Sequence, residues 1–168
     1  AMYIDFKSKF GVDVLKGLSG EDLLKTLFLG ASSDNLCHEF EYVTRNTELF
    51  GSVKGGNAFK YPMFFDKESS MWTSGTRANP KQLTIEEAVI KGTAVRDRLV
   101  KGIEIIEAAL PLDSVEDYLS LYADLYAAIP ELVDSLWVVK YFHMLFSDSF
   151  PVFYNKDWQI RVLTALNI

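Results

Sequence analysis

A helix-dominated α+β fold is the architecture this sequence predicts, and three features predict it. From Thr84 onward an apolar stripe recurs at helical spacing through Ile85, Val89, Gly92, Val95, Leu99, Ile103 and Ile106. Just before it, Ala58 to Phe65 alternates, with Phe59, Tyr61, Met63 and Phe65 on one face and Lys60 and Pro62 on the other. Alternation with a period of two marks a half-buried strand. The third feature is composition: 49% of the 168 residues are hydrophobic and 14% aromatic, enough for a chain folded throughout. The expected whole is about five helices and a small antiparallel β element around residues 58–74, in one domain over residues 1–168.

In chain order, Met2 to Phe10 alternates weakly, which predicts a strand or an extended arm. Ser19 is placed to cap a helix running through Leu29, with Gly30 as its stop. Ala31 to Asn35 is a polar loop, and Leu36 to Val43 reads as a short helix or turn. Arg45 to Glu48 links to a glycine-rich loop in which Gly51, Gly55 and Gly56 bracket Ser52-Val53-Lys54. The strand that follows contains Pro62, which lacks an amide donor, so it belongs at a sheet edge or bulge. Asp66 to Ser70 is a turn and Met71-Trp72-Thr73 the return strand. Thr84 and Glu87 form a capping box that opens the longest helix, to about Leu110, with Pro111 ending it. Gly92 and Gly102 lie on or beside its apolar stripe, where a closely packed neighbour would explain them. Asp113-Ser114 caps a helix through Ala128, with Leu119, Tyr122, Leu125 and Tyr126 as its apolar side. Pro130 suits the first turn of a helix from Glu131 to about Phe146. Ser147 to Tyr154 is an aromatic connector before a last helix from about Asn155 to Leu166.

The net charge is −6, but it is unevenly distributed. Residues 1–43 carry four Lys/Arg against seven Asp/Glu, residues 44–101 ten against six, and residues 102–168 three against ten. Positive potential therefore gathers on the central stretch while the last third is acidic. One cysteine, Cys37, excludes an internal disulfide and suits a reducing cytoplasm, the expected location. No apolar run is long enough to span a bilayer, since Lys140 and His143 interrupt the densest one. Ala1 ahead of Met2, and the stop directly after an amphipathic segment, lead us to expect an N-terminal recognition domain excised from a larger protein.

Catalytic patterns are sparse. GSVKGG has the glycines of a phosphate loop but no Gly-Lys-Ser/Thr. Cys37, His38 and His143 do not supply the four ligands of a structural zinc site. Cys37 beside His38 is a weak nucleophile–base pair, because adjacent side chains diverge, and a buried small hydrophobe is the better reading of the thiol. His143, on an apolar helix, reads as a core histidine, and Asp5-Phe6-Lys7 has a nuclease-like Asp-x-Lys spacing without its companion carboxylate. No catalytic residue, cofactor or metal is expected in this chain. Binding is what remains. Recognition of a flipped or single-stranded base combines a stacking ring with cations, and Lys54, Lys60, Tyr61, Trp72 and Arg77 are the residues able to supply both. The ordinary reading places Phe59, Tyr61 and Phe65 in the core and Lys60 in solvent. Trp, Tyr and Arg equally serve as anchors of protein interfaces.

Two segments, FGSVKGGNAFKYPMFF with MWTSG and LTIEEAVIKGTAVRDRLVKG, and WVVKYFHMLFSDSFPVFYNKDWQIRVLTALNI, resemble the N-terminal region of McrB-like AAA+ proteins of modification-dependent restriction and phage-defence systems. The resemblance covers about two thirds of the chain, from Phe50 onward. It implies a reader of DNA, in some members of modified bases, fused to a nucleotide-hydrolysing AAA+ motor that works with a nuclease subunit. Hydrolysis would then lie outside this chain. The same resemblance leaves room for a protein-interaction or phage-sensing domain, for which the acidic last third is available. The overall acidity departs from what DNA binding asks for.

Overall fold

A computed structural model describes residues 2–30, 34–43, 53, 58–150, 161 and 164–165. It is α+β, as the sequence predicts. The first correction comes at once: Met2–Phe10 is a helix (α1), not a strand. Its two buried positions, Phe6 and Phe10, are one turn apart and their rings touch, while Asp5 and Lys9 pair on the wet side at 2.9 Å. A short helix the sequence did not announce, α2 (Val12–Gly17), follows, and then α3 (Gly20–Phe28), which buries Leu23, Leu24, Leu27 and Phe28. Ser19 has the extended backbone of an N-cap, though its hydroxyl makes no capping bond, and Gly30 takes φ +92° just past the end. Three residues, Leu36–His38 (α4), continue into a π-helix at Glu39–Val43, capped by the Asn35 side chain, which accepts the His38 amide at 3.0 Å.

The β element is a three-stranded antiparallel sheet, β1 (Met63–Asp66), β2 (Met71–Thr76) and β3 (Asn79–Leu83), in that spatial order. It is shorter at its start and longer at its end than the sequence indicates. Ala58–Lys60 is a 3₁₀ turn and Pro62 precedes β1 rather than sitting in it. Proline does occur in the sheet, at Pro80, on the edge strand β3 where a missing amide is tolerated. Just before the tight β2–β3 connection, Gly75 of β2 takes a positive φ (+92°), and a Cβ there would meet the Asn79 carbonyl oxygen at 2.5 Å.

Helix α5 (Ile85–Ala109) opens on the predicted box: Thr84 Oγ1 accepts the Glu87 amide at 3.2 Å and Glu87 Oε2 accepts the Thr84 amide at 2.9 Å. Its buried stripe runs Ala88, Gly92, Val95, Leu99, Ile103 and Ile106, so the first turn differs from expectation: Ala88 is inside, and Ile85 is exposed. Helix α6 (Val115–Ala128) has a complete Ser114–Asp117 capping box. Leu121, not Leu119, joins Tyr122 and Leu125 on its buried side. Pro130 does not open the next helix. Ile129 to Asp134 is a series of turns, and α7 (Leu136–Leu145) starts six residues after the proline. The last predicted helix falls almost wholly outside the described residues.

Two compact units emerge, Ala1–Val12 with Arg98–Ile168, and Asp13–Asp97. In the first, α7 is the core element: every residue from Trp137 to Leu145 is buried. A Cβ on Gly102 would collide with the Phe142 ring, which is why glycine stands on that stripe. In the second, α3, the sheet and the first half of α5 enclose Leu23, Leu24, Met63 and Trp72. A Cβ on Gly92 would lie 2.7 Å from Leu24 Cδ2 and 3.0 Å from Met63 Cε. Both helical glycines thus mark close approach, as their places in the sequence predict. Among the described residues no helix is long and apolar enough to cross a membrane.

Candidate functional site

Of the five residues singled out from sequence, Lys54 lies outside the described residues. The other four do not converge. Lys60 ends the 3₁₀ turn and its Nζ sits 2.7 Å from Glu41 Oε1, with the side chains only 22% and 20% exposed. The same ammonium lies 5.2 Å from the centre of the Tyr61 ring. The π-helix is what turns Glu41 toward that lysine, so the local cation is already neutralised. Tyr61 is 5% exposed. Burial, and then the neighbouring Cys37 and Glu41, push its phenol pKa up. Its ring is core, as the ordinary reading has it.

Trp72 is 7% exposed, and its ring meets Phe65 edge-on, centroids 5.5 Å apart at 70°. Arg77 is exposed in the β2–β3 turn. Four residues of β2 lie between it and Trp72, five steps or roughly 16 Å at the usual rise per residue.

The thiol chemistry resolves into structure. Cys37 Sγ donates to the Leu27 carbonyl at 3.1 Å, and burial raises its pKa well above the ordinary thiol range. The His38 ring stacks on Tyr42, centroids 5.1 Å apart, with Nδ1 buried and unbonded. His143 is 1% exposed, its Nδ1 2.9 Å from the Phe150 carbonyl and its Nε2 3.4 Å from the Tyr3 hydroxyl, a satisfied core histidine. Among the described residues no cluster of three or more His, Cys, Asp or Glu is arranged to hold a metal.

What the structure does assemble around Trp72 is a groove of about 480 Å³ within the second unit. Its floor is one cross-strand row, Phe65, Trp72 and Leu83, held in register across the three strands. Leu24 from α3 and Leu29 just past its end form one wall, and Met71 and Ile85 line the rest. The rim is charge-balanced: Glu21 and Lys25, one turn apart on α3, pair at 3.0 Å. Nearby, Lys81 stands 3.8 Å from Glu87. A second cavity, about 540 Å³ between α5 and α6, is more polar, and its Asp117 is engaged by the Ser114 cap. Sequence reasoning found Trp72 but not its partners, because β3 carries no β-branched alternation to announce itself.

Comparison with known proteins finds no matching family model, no curated relative and no solved structure of similar fold.

Proposed function

We propose that this chain is a non-catalytic recognition domain, and that what it recognises is a protein surface. The observation that carries the reading is the groove itself: an apolar floor of Phe65, Trp72 and Leu83 inside a rim whose charges cancel. Aromatic residues and methionine in a partly desolvated hollow are the composition of interface hot spots. The resemblance of residues 50–65, 71–75, 83–102 and 137–168 to McrB-like proteins supports a setting in restriction or phage defence, with an AAA+ motor and a nuclease subunit as the larger assembly.

Reading DNA would ask one ring and several cations to reach the same nucleotide. Trp72 lies near the start of β2 and Arg77 in the turn beyond its end, and Lys60 is held by Glu41. The protein-binding reading is therefore the better supported of the two. It is tested by two measurements on the same protein. Titration with methylated, unmodified and single-stranded oligonucleotides at low salt gives no saturable binding. A photo-crosslinking residue in place of Ile85, at the groove, captures a discrete protein that is not captured from position 119 in the other unit. Saturable oligonucleotide binding that falls with salt and is lost in Arg77→Ala restores the DNA reading.

A further inference from the structure

We infer that the Trp72 groove accepts an amphipathic helix presenting two leucine-like anchors one turn apart, flanked by a cation and an anion at the same spacing. The inference rests on the protein-recognition reading above. Its first ground is dimension. Neighbouring strands lie about 4.8 Å apart, so the row Phe65–Trp72–Leu83 runs for roughly 10 Å. A helix rises about 5.4 Å per turn, so two anchors at i and i+4 cover that floor. A groove of about 480 Å³ has room for both anchors.

The second ground is charge complementarity. Glu21 and Lys25 stand one helical turn apart on the α3 wall, both more than half exposed. Paired with each other at the surface, they hold one another weakly and can exchange for partners across the groove. An antiparallel helix with a glutamate at i, opposite Lys25, and a lysine at i+4, opposite Glu21, beside its anchors meets both. A polyanion finds no net attraction on this rim, and a uniformly basic segment meets Lys25 unfavourably. Met71 gives the groove an adaptable wall, and Ser70 and Thr84 add hydroxyls to the lining.

The test uses the full chain with ¹³C-methyl methionine. Met71 lines the groove, while Met2 and Met144 belong to the other unit and serve as internal references. The probe is a net-neutral model helix with leucines at i and i+4 and a Lys–Glu pair on its flank. A scrambled peptide of the same composition and free indole are the controls. The expected result is a saturable shift of the Met71 methyl with the patterned peptide alone. Ile85→Lys, which places a charge at an already exposed groove residue, should weaken binding at least about tenfold. Exchanging the pair (Glu21→Lys with Lys25→Glu) should weaken it about two- to fivefold and be rescued by a peptide with its flanks exchanged. Equal shifts from the scrambled peptide overturn the helix assignment while leaving the groove a protein-binding site. No shift with peptide or indole overturns both it and the functional reading above.

Discussion

The Trp72 ring stands edge-on to Phe65, its cross-strand partner, with centroids 5.5 Å apart. This contact ties β1 to β2 and builds the groove floor at once. Trp72→Ala should destabilise the protein by about 3–5 kcal/mol, the range for deleting a buried large aromatic. Trp72→Phe should cost much less. Urea denaturation checks both. A double-mutant cycle with Phe65→Ala should return a ring–ring coupling of about 0.5–1.5 kcal/mol. Coupling indistinguishable from zero would mean the two rings merely share a neighbourhood.

Lys60 and Glu41 are both mostly shielded from water, so removing the Glu41 charge leaves the Lys60 ammonium poorly compensated. Glu41→Gln is expected to destabilise by about 2 kcal/mol, and Glu41→Gln with Lys60→Met to recover part of that loss. Equal stability of the single and double variants in chemical unfolding argues against the pair. Lys60→Met alone should leave any binding at the groove unchanged, because its cation is committed to Glu41.

The two buried glycines of α5 should respond differently to alanine. At Gly102 the obstacle is the Phe142 ring, itself packed in the core, so Gly102→Ala should destabilise by about 2 kcal/mol or more. At Gly92 the obstacles are the flexible ends of Leu24 and Met63. There, the gain of roughly 1 kcal/mol in helix propensity should offset most of the crowding. Thermal unfolding of the two variants ranks them, and a Gly92→Ala loss as large as that of Gly102→Ala would contradict this account.

His143 is buried, and burial lowers its pKa below the ordinary histidine value of 6.5. The folded state therefore binds the proton less readily than the unfolded state. Stability is full above pH 6.5 and falls as the pH drops from there toward the folded-state pKa, below which this contribution levels off. The urea midpoint should be lower at pH 5.5 than at pH 7.5, and His143→Gln should flatten that dependence. An unchanged slope in the variant would assign it to other groups.

Strong local signals carried the helical part of the fold. Thr84 with Glu87 is a capping box in sequence and in structure, and the cap expected at Asp113-Ser114 is Ser114, boxed in the structure by Asp117, because a cap is settled by residues three apart. Where two periods competed, tertiary contacts decided. The weak alternation of Met2 to Phe10 reads as a strand or an extended arm, yet the segment is a helix whose Phe6 packs on Tyr141, the hydroxyl of which donates to the Phe10 carbonyl at 2.6 Å. The site was less legible. Trp72 was visible as an unusual residue, but its setting depends on the register that brings Phe65 and Leu83 alongside it, and Asn79–Leu83 lacks the residues that mark a strand. The pairing of Lys60 with Glu41 was equally invisible, because the two stand 19 residues apart and are brought together by tertiary structure rather than by a local spacing.

The hydrogen bond from Cys37 to Leu27 has a practical corollary. With its thiol buried and kept protonated, the native protein should resist maleimide and disulfide reagents. A cysteine introduced at the mouth of the Trp72 groove would then take a fluorophore or spin label alone. Reagent uptake by the unaltered chain becomes a sensitive gauge of how often α3 and α4 part.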